Sequence, residues 1–476
     1  MIEVSDKIIT YLGSLFGEES AKKYAEFIKS DPSTYIRINP FKSAPLPLEI
    51  RLRKNYDITV EPVGNVPGMF KVLNGRDKIG KTVEHITGDY YIQGLSSALP
   101  PLMLSPSPED KVLDLCAAPG SKTTQLGELM SNRGTLIANE ISLDRVKMLV
   151  YNLDRMNTMN AGVLHYKGEI LSKIYDNYFD KILVDAPCSG LGIIQKKGEV
   201  NNWWSLERAQ KLGDMQLRLL IAAVKMLKTG GEIVYSTCTL TPEENEFIID
   251  KVLEKYPVEL SEIEIPIKSI PAFTEYGGRD LNPGISKAKR IIPWETDTDG
   301  FFIAKLKKTD GLLSPEKLNL KTGRLKLIPF DDREIRPLLE NLARHFGLGE
   351  EALSKYSYMI KNTDIFFVNS NWHDNNLSEF ERIGTRFGVI GRNGQITLHT
   401  QAAQILSGDI SSRVFELEGT DEVKKYLEGG ILKKSGVEQG QCAVKYKGSV
   451  IGTGVVTANG LKSRFPRARR TQEIIY

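Results

Sequence analysis

The sequence predicts a doubly wound α/β core, a parallel sheet with helices on both faces, flanked by an N-terminal α+β extension and a β-rich C-terminal region. From Lys111 onward, short buried strands alternate with helical stretches, which is the pattern of a parallel sheet. After about residue 410 the chain instead shows short strands and many glycines. A chain of 476 residues is too long for one core, so several domains are expected. The predicted divisions are residues 1–95, 96–308, a linker over 309–324, 325–410 and 411–476.

The core elements are predicted from hydrophobic runs, caps and breakers. Buried strands are predicted over residues 111–116, 135–140, 163–167, 181–187 and 231–238. Helices are predicted over residues 121–130, 143–156, about 205–228 and 241–255. Ser142 is a candidate N-cap, and Thr241 with Pro242 and Glu244 has the form of a capping box with proline at the first helical position. Gly230 and Gly231 should separate the third helix from the last strand.

Segments outside these elements are less regular. Residues 35–40, YIRINP, indicate a strand that ends in a turn within the N-terminal extension. Residues 289–307 are predicted to form a hairpin that completes the core. The stretch KKTDGLLSPEKLNLKTGR that follows has the composition of a linker.

The composition predicts a soluble cytoplasmic protein without a membrane segment. The hydrophobic fraction is 41% and the charged fraction 26%, which are ordinary values. No apolar run approaches the roughly 20 residues of a membrane helix, and the chain does not start with a basic segment followed by an apolar one. The four cysteines form no CxxC pair and the five histidines are scattered, so neither a disulfide framework nor a metal site is expected.

The charge is concentrated near the C-terminus. The whole chain carries only +3, but the last 36 residues hold seven basic residues against one acid, a net +6. Such a segment suits the binding of phosphate groups. A solvated basic tail without a partner is an equally open interpretation.

A small-residue loop and an acid indicate a nucleoside site. The loop comprises Cys116, Ala117, Ala118, Pro119, Gly120, Ser121 and Lys122. It follows the first core strand at the start of a helix, where doubly wound sheets bind ligands, although a plain tight turn would have a similar sequence. Glu140 ends the second strand twenty residues after Gly120, the position from which an acid binds ribose hydroxyls. Because the loop lacks the three-glycine spacing for a pyrophosphate, a ribose there suggests S-adenosylmethionine.

Two cysteines follow strands at the same predicted sheet edge. Asp185 ends a central strand, and Cys188 follows it in DAPCSG; Cys238 follows the last strand in VYSTCTL. A single buried cysteine is usually a small hydrophobic residue, and Asp185 can simply end a strand. Two thiols beside the loop favour covalent chemistry, because a thiolate that attacks carbon 6 of a pyrimidine makes carbon 5 nucleophilic enough to accept a methyl group.

The segments CAAPGSKTTQL, DAPCSG and YSTCTLTPEENE together resemble the RNA cytosine-5 methyltransferases, most of all their bacterial RsmF-like branch. Residues 35–42, 89–104 and 290–308 fit the family too, so the resemblance covers about residues 20–308. Residues 311–476 resemble the accessory region of that branch, which ends in a PUA-like RNA-binding module. The resemblance implies a Rossmann-like S-adenosylmethionine-dependent methyltransferase domain over 96–308, with RNA-binding roles for 1–95 and 411–476.

The resemblance also implies roles for individual residues. Cys238 corresponds to the nucleophile and Cys188 to the thiol that assists product release. DNA cytosine methyltransferases instead attack with the cysteine after the proline of the strand-end motif, which is Cys188 here, but the STC motif decides for Cys238. The loop from Cys116 to Lys122, Glu140 and Asp185 match cofactor-binding positions, and Asp185 is expected to reach the cytosine edge as well.

One position departs from the family pattern. The family has an acid after the third strand, whereas this chain has Lys167 in the sequence HYKG. A lysine cannot accept a hydrogen bond from the adenine amino group. Glu169, two residues further on, is the candidate substitute, with backbone groups as the alternative.

We therefore expect an enzyme that methylates carbon 5 of a cytosine in RNA, with 16S ribosomal RNA or the small ribosomal subunit as the partner and a monomeric chain. The target base has to leave its stack to reach the thiols. The region from about Gly311 onward is expected to position RNA without taking part in methyl transfer. A transfer RNA substrate is the first alternative. A non-catalytic RNA-binding ribosome assembly factor is an alternative of another class, and a small-molecule methyltransferase would not need two thiols or a basic C-terminal region.

Overall fold

One ten-stranded sheet organises the molecule, and four smaller sheets accompany it in the residues that the computed structural model describes. These residues are 4–312, 318, 320, 323, 325–433, 438–470 and 473–475. Most of the predicted linker, 309–324, lies outside them. Within the described residues, no helix is long and apolar enough to cross a membrane.

The N-terminal extension joins four helices to a small antiparallel sheet with the strand order β2-β3-β1-β4. Its elements are α1 Asp6–Phe16, α2 Glu18–Lys29, β1 Tyr35–Ile38, α3 Pro45–Tyr56, β2 Thr59–Pro62, β3 Met69–Asn74, α4 Val83–Thr87 and β4 Tyr90–Ile92. The hydroxyl of Tyr24 in α2 donates a hydrogen bond of 2.8 Å to the carbonyl of Leu191, so the first helices hold a loop of the core.

The core follows from residue 95 to residue 308. Its elements are α5 Leu95–Leu104, β5 Lys111–Asp114, α6 Ser121–Leu129, β6 Thr135–Asn139, α7 Leu143–Met156, β7 Ala161–Leu164, β8 Phe179–Asp185, α8 Val200–Trp203, α9 Leu206–Met226, β9 Leu227–Thr237, α10 Glu246–Lys255, β10 Val258–Ser261, β11 Ile270–Pro271, β12 Glu275–Tyr276, β13 Arg279–Asp280, β14 Lys289–Ile291, α11 Pro293–Thr296 and β15 Phe301–Lys308. Short 3₁₀ helices lie at Gly168–Lys173, Leu191–Ile193, Pro242–Glu244 and Pro283–Lys287.

The core sheet has the predicted doubly wound order. Strands β9-β8-β5-β6-β7 are parallel. From β5 the chain first adds β6 and β7 on one side of the sheet and then β8 and β9 on the other, so the strand order reverses between β5 and β8. The predicted hairpin is present, since β14 pairs with β15, and β15 extends the sheet antiparallel to β9. The central strands are almost wholly buried because helices cover both faces, and each face has its own hydrophobic core. The carboxyl ends of β5, β6, β8 and β9 therefore meet at one edge.

One local prediction is wrong, and two are confirmed only for the position of the N-cap, at Ser142 and at Thr241. Strand β9 begins at Leu227, directly after α9, and contains both Gly230 and Gly231, because this first part pairs with β8 through a bulge. The hydroxyl of Ser142, although placed at the N-cap of α7, makes no capping hydrogen bond; its backbone N–H donates to Glu140. The predicted helix from Thr241 is divided into a 3₁₀ turn and α10, and the Glu244 side chain does not return to the Thr241 backbone.

The accessory region is joined to the core sheet. Its elements are β16 Ile328–Pro329, α12 Arg336–Phe346, α13 Glu351–Ser354, β17 Tyr356–Lys361, β18 Asp364–Asn369, β19 Arg382–Ile383, β20 Thr385–Ile390, β21 Ile396–Leu398 and α14 Thr400–Ile405. Strand β19 pairs with β7 and becomes an edge strand of the ten-stranded sheet. The rings of Trp372 and Phe380 lie so close to Gly162 of β7 that a side chain there would collide with them. The core sheet therefore does not end at residue 308.

The last part of the chain is β-rich, as predicted. It contains β22 Val414–Leu417, α15 Thr420–Leu427, β23 Ile431–Leu432, β24 Gly440–Tyr446, β25 Ser449–Thr457 and β26 Gly460–Ser463, in the sheet order β22-β24-β25-β26-β23. Its hydrophobic core includes Val83 and Ile86 of the N-terminal extension. The side chain of Arg469 is buried and donates to the Ile86 carbonyl at 2.6 Å. Part of the basic segment is thus structural.

Candidate active site

A cavity of about 500 Å³ opens at the carboxyl edge of the core sheet. Both cysteines, the small-residue loop and Asp185 contribute to its wall, as the strand order predicts. The predicted residues in this wall are Cys116, Ala117, Ala118, Pro119, Ser121, Lys122, Asp185, Cys188 and Cys238. Residues separated by more than 100 positions in the chain therefore form one site.

The two thiols are in direct contact. Sγ of Cys188 lies 2.8 Å from Sγ of Cys238, and both cysteines are free and only partly buried. The hydrogen bond to Cys238 and burial raise the pKa of the Cys188 thiol well above its ordinary value. Either sulfur can donate its proton to the other across this contact. This arrangement provides one nucleophile with an adjacent proton-bearing group.

Asp185 is held from two sides. The Ser236 hydroxyl donates to Oδ1 at 2.8 Å, and Nζ of Lys122 donates to Oδ2 at 2.7 Å. Lys122 also donates to the hydroxyl of Ser97 at 2.8 Å, and it faces the ring of Phe301. The carboxylate and the ammonium group therefore present a fixed acceptor and donor to anything that enters beside the thiols.

The small-residue loop brings its backbone close to the cavity. Its Ala117 N–H donates to the Asn139 carbonyl at 2.8 Å, which links the ends of β5 and β6. Gly120 has a φ of 107°, and a Cβ there would lie 3.1 Å from Leu149 of α7, so the turn into α6 requires glycine. Burial raises the pKa of Cys116 well above its ordinary value, so this third thiol is a poor nucleophile.

Glu140 lies in a neighbouring cavity of about 230 Å³. The two cavities share Cys116, Arg145 and Pro187 in their walls. Glu140 is only 2% exposed, and its carboxylate accepts the Ser142 N–H at 3.0 Å and pairs with Arg145 at 3.1 Å. Arg145 also donates to the Ala118 carbonyl at 2.5 Å, and therefore connects the acid to the loop.

Lys167 and Glu169 line the same smaller cavity. Lys167 is exposed, whereas Glu169 forms an ion pair of 3.6 Å with Arg218. Both residues are thus near enough to contribute to a ligand site, and Glu169 alone of the two offers an acceptor.

Several residues of the site had no clear signal in the sequence. Asp114 ends β5 in the wall of the larger cavity; its Oδ2 accepts the Thr123 hydroxyl, and no described residue hydrogen-bonds to its Oδ1. Burial raises the pKa of Asp114 to about 7. Also in the cavity wall, Lys196 forms an ion pair of 2.8 Å with Asp299. An acid at a strand end was the only available clue for Asp114, and nothing predicted the Lys196 contact.

Comparisons with a family model and with known proteins indicate the same family. Residues 101–307 match the family described as 16S rRNA methyltransferase RsmB/F. The chain is 32% identical to the ribosomal RNA small subunit methyltransferase F of Vibrio cholerae, over 82% of this chain and 80% of that protein. It is 37% identical to the tRNA (cytosine(49)-C(5))-methyltransferase of Pyrococcus abyssi, over 57% of this chain and 87% of that protein.

A solved structure is similar as well. The structure described as a methyltransferase homolog protein from Pyrococcus horikoshii superposes with a TM-score of 0.57 and 33% sequence identity. The similarity covers 64% of this chain and 100% of that one.

Proposed function

Because this chain belongs to the RsmB/F family of methyltransferases, we propose that it methylates carbon 5 of a cytosine in RNA through a covalent cysteine adduct. One observation supports the adduct above all: the 2.8 Å contact between Cys188 and Cys238 at the wall of the larger cavity. A reaction that needed one thiol would not require a second thiol directly against it. S-adenosylmethionine is the methyl donor of this enzyme class.

The two cavities fit S-adenosylmethionine. Glu140 offers a buried carboxylate for ribose hydroxyls, and Glu169 an acceptor for the adenine amino group in place of the family acid at the Lys167 position. The unpartnered Oδ1 of Asp114 suits an ammonium group, such as the one at the methionine end. When bound, S-adenosylmethionine supplies an electrophilic methyl group. The cofactor assignment of the loop from Cys116 to Lys122 remains part of this proposal.

Attack requires a thiolate at Cys238, whose proton passes to solvent. The Cys238 sulfur forms a bond to carbon 6 of the cytosine, and the electron pair of the 5,6 double bond moves to carbon 5. Carbon 5 would then take the methyl group from the bound donor, whose sulfur would keep the electron pair of the broken bond. Asp185 and Lys122 line the same cavity as the thiols and are proposed to hold the polar edge of the base. The Cys188 proton stabilises the Cys238 thiolate before the attack.

Release requires a base. In the adduct, the Cys238 sulfur is a neutral thioether and no longer places a negative charge beside Cys188. Cys188 can then lose its proton to solvent, and its thiolate accepts the proton from carbon 5. The 5,6 double bond re-forms, the bond between carbon 6 and sulfur breaks, and its electron pair returns to Cys238. One pair of thiols thus serves both halves of the reaction.

Small-subunit ribosomal RNA is the proposed substrate. The Vibrio cholerae relative aligns over 82% of this chain, including residues beyond the core, whereas the transfer RNA enzyme of Pyrococcus abyssi aligns over 57%. The extension at 1–95 and a PUA-like module at 411–476 are proposed to bind RNA. A monomeric state and a cytoplasmic location stay predictions.

The covalent mechanism predicts opposite results for the two cysteines. Cys188→Ala should accumulate a protein–RNA adduct that survives a denaturing gel and disappears after ribonuclease treatment, because release is blocked. Cys238→Ala should form no adduct, because the bond cannot form. Total RNA from a deletion strain provides the unmethylated target whichever RNA contains it. Adduct in Cys238→Ala with none in Cys188→Ala would reverse the assignment.

Bisulfite sequencing separates the candidate substrates and functions. A cytosine in small-subunit ribosomal RNA should be methylated in the parent strain and unmethylated in the deletion strain. A transfer RNA position that changes instead would favour the alternative substrate. A Cys238→Ala gene that restored ribosome assembly without restoring methylation would favour a non-catalytic assembly factor.

A further inference from the structure

The residues that follow the two thiols are joined by a closed set of buried hydrogen bonds. The hydroxyl of Ser189, next to Cys188, lies 2.9 Å from that of Thr239, next to Cys238. Thr239 contacts the Thr241 hydroxyl at 3.4 Å, and Thr241 donates to Oε2 of Glu244 at 2.7 Å. Oε1 of Glu244 accepts the Ser189 N–H at 2.8 Å, which closes the ring. Ser189, Thr239, Thr241 and Glu244 are all 0% exposed.

Gln216 of α9 holds the other side of the Cys188 backbone. Its Nε2 donates to the Pro187 carbonyl at 2.8 Å and to Oε1 of Glu244 at 2.9 Å. The residues immediately before and after Cys188 are therefore both tied to the same carboxylate, directly or through Gln216.

Burying a carboxylate at this position costs desolvation free energy that a purely structural role does not require. Burial raises the pKa of Glu244, and the hydrogen bonds from Ser189, Thr241 and Gln216 oppose that rise. The carboxylate also does not act as a capping group for the helix it precedes, because α10 begins only at Glu246. Both oxygens of Glu244 accept hydrogen bonds, although Oε1 of Gln216 has no partner among the described residues. Hydrogen bonds to both oxygens of a buried carboxylate favour one geometry.

We propose that Glu244, together with Gln216, is a positioning residue that holds the Pro187–Ser189 backbone and keeps the Cys188 sulfur in place for product release. The inference rests on the proposed function, because release is the step that needs Cys188 after Cys238 has bonded to carbon. Glu244 touches neither thiol by a hydrogen bond and acts through the backbone on either side of Cys188.

The test compares adduct formation with adduct release in the full-length protein. Glu244→Ala removes the acceptor, and Gln216→Met removes the link to Pro187 with little change in volume. With total RNA from a deletion strain, both variants should form the adduct at a rate close to that of the unmodified protein. Release should slow by about tenfold to a hundredfold, since small misplacements of reacting groups cost that much. Adduct should therefore accumulate on denaturing gels.

Three further variants separate positioning from a loss of folding. Glu244→Gln keeps an oxygen for Ser189 and Gln216, and Thr241 can accept from its amide, so release should be largely restored. Glu243→Gln changes the neighbouring acid, which contacts Tyr11 instead of the Cys188 backbone, and should not accumulate adduct. In a Cys188→Ala background, Glu244→Ala should add nothing to the amount of adduct, because both changes act on the same step.

The outcomes distinguish this inference from the proposed function. If Cys188→Ala traps adduct while Glu244→Ala and Gln216→Met slow formation and release equally, Glu244 is only structural and the inference is wrong. If Glu244→Ala does not fold, Gln216→Met and Glu244→Gln still decide the question by the same two rates. If neither Cys188→Ala nor the unmodified protein forms adduct or 5-methylcytosine, the covalent function itself fails.

Discussion

Single residues at the sheet edge carry charge that folding alone would not favour. Asp114 is buried, shares one oxygen with Thr123 and has its pKa raised to about 7 by burial, while Glu140 is buried against Arg145. Such groups lower stability unless a ligand or a partner compensates for their desolvation. Their concentration around the two cavities is what a site built for a charged nucleoside requires.

Asp114 should make the stability of the ligand-free protein depend on pH. Its pKa is raised from 3.8 to about 7, so its favourable contribution is complete below pH 3.8 and is lost as the pH rises through 7. At about 1.4 kcal/mol for each pKa unit, the loss amounts to a few kcal/mol at most. Asp114→Asn should therefore raise Tm at pH 8 and flatten Tm between pH 5.5 and about 8. Thermal melts across this range test the prediction.

The exposed Asp144 provides the control for this experiment, because its side chain is 90% exposed. Asp144→Asn should leave the pH profile of the unmodified protein unchanged. An Asp114→Asn profile parallel to that of the unmodified protein would show that Asp114 does not titrate in this range.

Glu140 should determine cofactor affinity. Two charge-assisted hydrogen bonds to ribose would be lost in Glu140→Ala, each worth about 1.5 to 3 kcal/mol, so the affinity for S-adenosylmethionine should fall at least about tenfold. Calorimetry measures the change, and Asp144→Ala serves as the charge control. Equal affinity in Glu140→Ala and the unmodified protein would exclude the ribose contact.

The departure at Lys167 is tested in the same assay. Lys167→Asp restores the family acid, whereas Glu169→Ala removes the proposed substitute. Tighter binding of S-adenosylmethionine by Lys167→Asp would show that an acid at this position makes a useful interaction that the native lysine does not. Weaker binding by Glu169→Ala, with Lys167→Asp unchanged, would assign the adenine hydrogen bond to Glu169.

At the level of elements, close contacts between backbone segments hold the loops that carry the two cysteines. The Gly192 N–H donates to the Cys238 carbonyl at 3.0 Å, and the Gly192 carbonyl accepts the Gly300 N–H at 2.9 Å. A Cβ on Gly192 would lie 2.2 Å from the Gly300 oxygen and 2.8 Å from the Cys238 oxygen. The loop that carries Cys188, the end of β9 and the start of β15 thus meet at a point where only glycine fits.

Gly192→Ala should reduce methylation more than it reduces stability. The backbone atoms have to separate by several tenths of an ångström, and Cys238 moves with them, so turnover should fall by about tenfold or more. Single-turnover methylation and a thermal melt measure the two effects. Gly349→Ala is the control, since a Cβ there meets no atom within 4 Å. A normal methylation rate in Gly192→Ala would mean that the close contact between the backbones of Gly192 and Cys238 does not position Cys238.

The elements also show which parts of the site the sequence patterns can predict. Strand ends at Asp185, Cys188 and Cys238 were predicted to meet because parallel strands align their carboxyl ends, and the observed sheet order brings them together. The pattern of Thr241 to Glu244 predicted a capping box, but the carboxylate accepts the Thr241 hydroxyl instead of its backbone N–H, and its other oxygen bonds to Ser189, 55 positions away. A short motif shows which side chains can form hydrogen bonds. It does not show a partner that is distant in the chain, because such a partner leaves no periodic signal in the sequence.

At the scale of the whole molecule, the regions before and after the core are packed into it. Strand β19 extends the core sheet, and Trp372 and Phe380 cover β7. Nζ of Lys42 donates to the carbonyls of Thr87 and Arg155, which fastens the N-terminal extension to α7. A chain cut near Lys308 would expose this apolar face, so its loss of RNA binding would not isolate an RNA-positioning role. Substitutions of exposed cations provide a cleaner test.

The exposed cations of the C-terminal sheet should contribute to RNA affinity. Lys462, Arg464 and Arg467 are exposed, whereas Arg469 is buried against the N-terminal extension. Replacing the three exposed residues with alanine should weaken binding and reduce the log–log salt slope by about 0.7 to 0.9 units for each phosphate that is no longer bound. Tm should change little, because exposed substitutions are usually near neutral. RNA binding at several salt concentrations measures the slope.

Arg469→Ala should show the opposite pattern, and it completes the test. It leaves the Ile86 carbonyl without its donor, which costs about 1 to 3 kcal/mol when the group stays buried, so Tm should fall. The salt slope should stay close to that of the unmodified protein, because the buried guanidinium cannot contact a phosphate. If the triple variant retained the full salt slope, the C-terminal sheet would not bind RNA through Lys462, Arg464 and Arg467, and these three cations would be only a solvated surface.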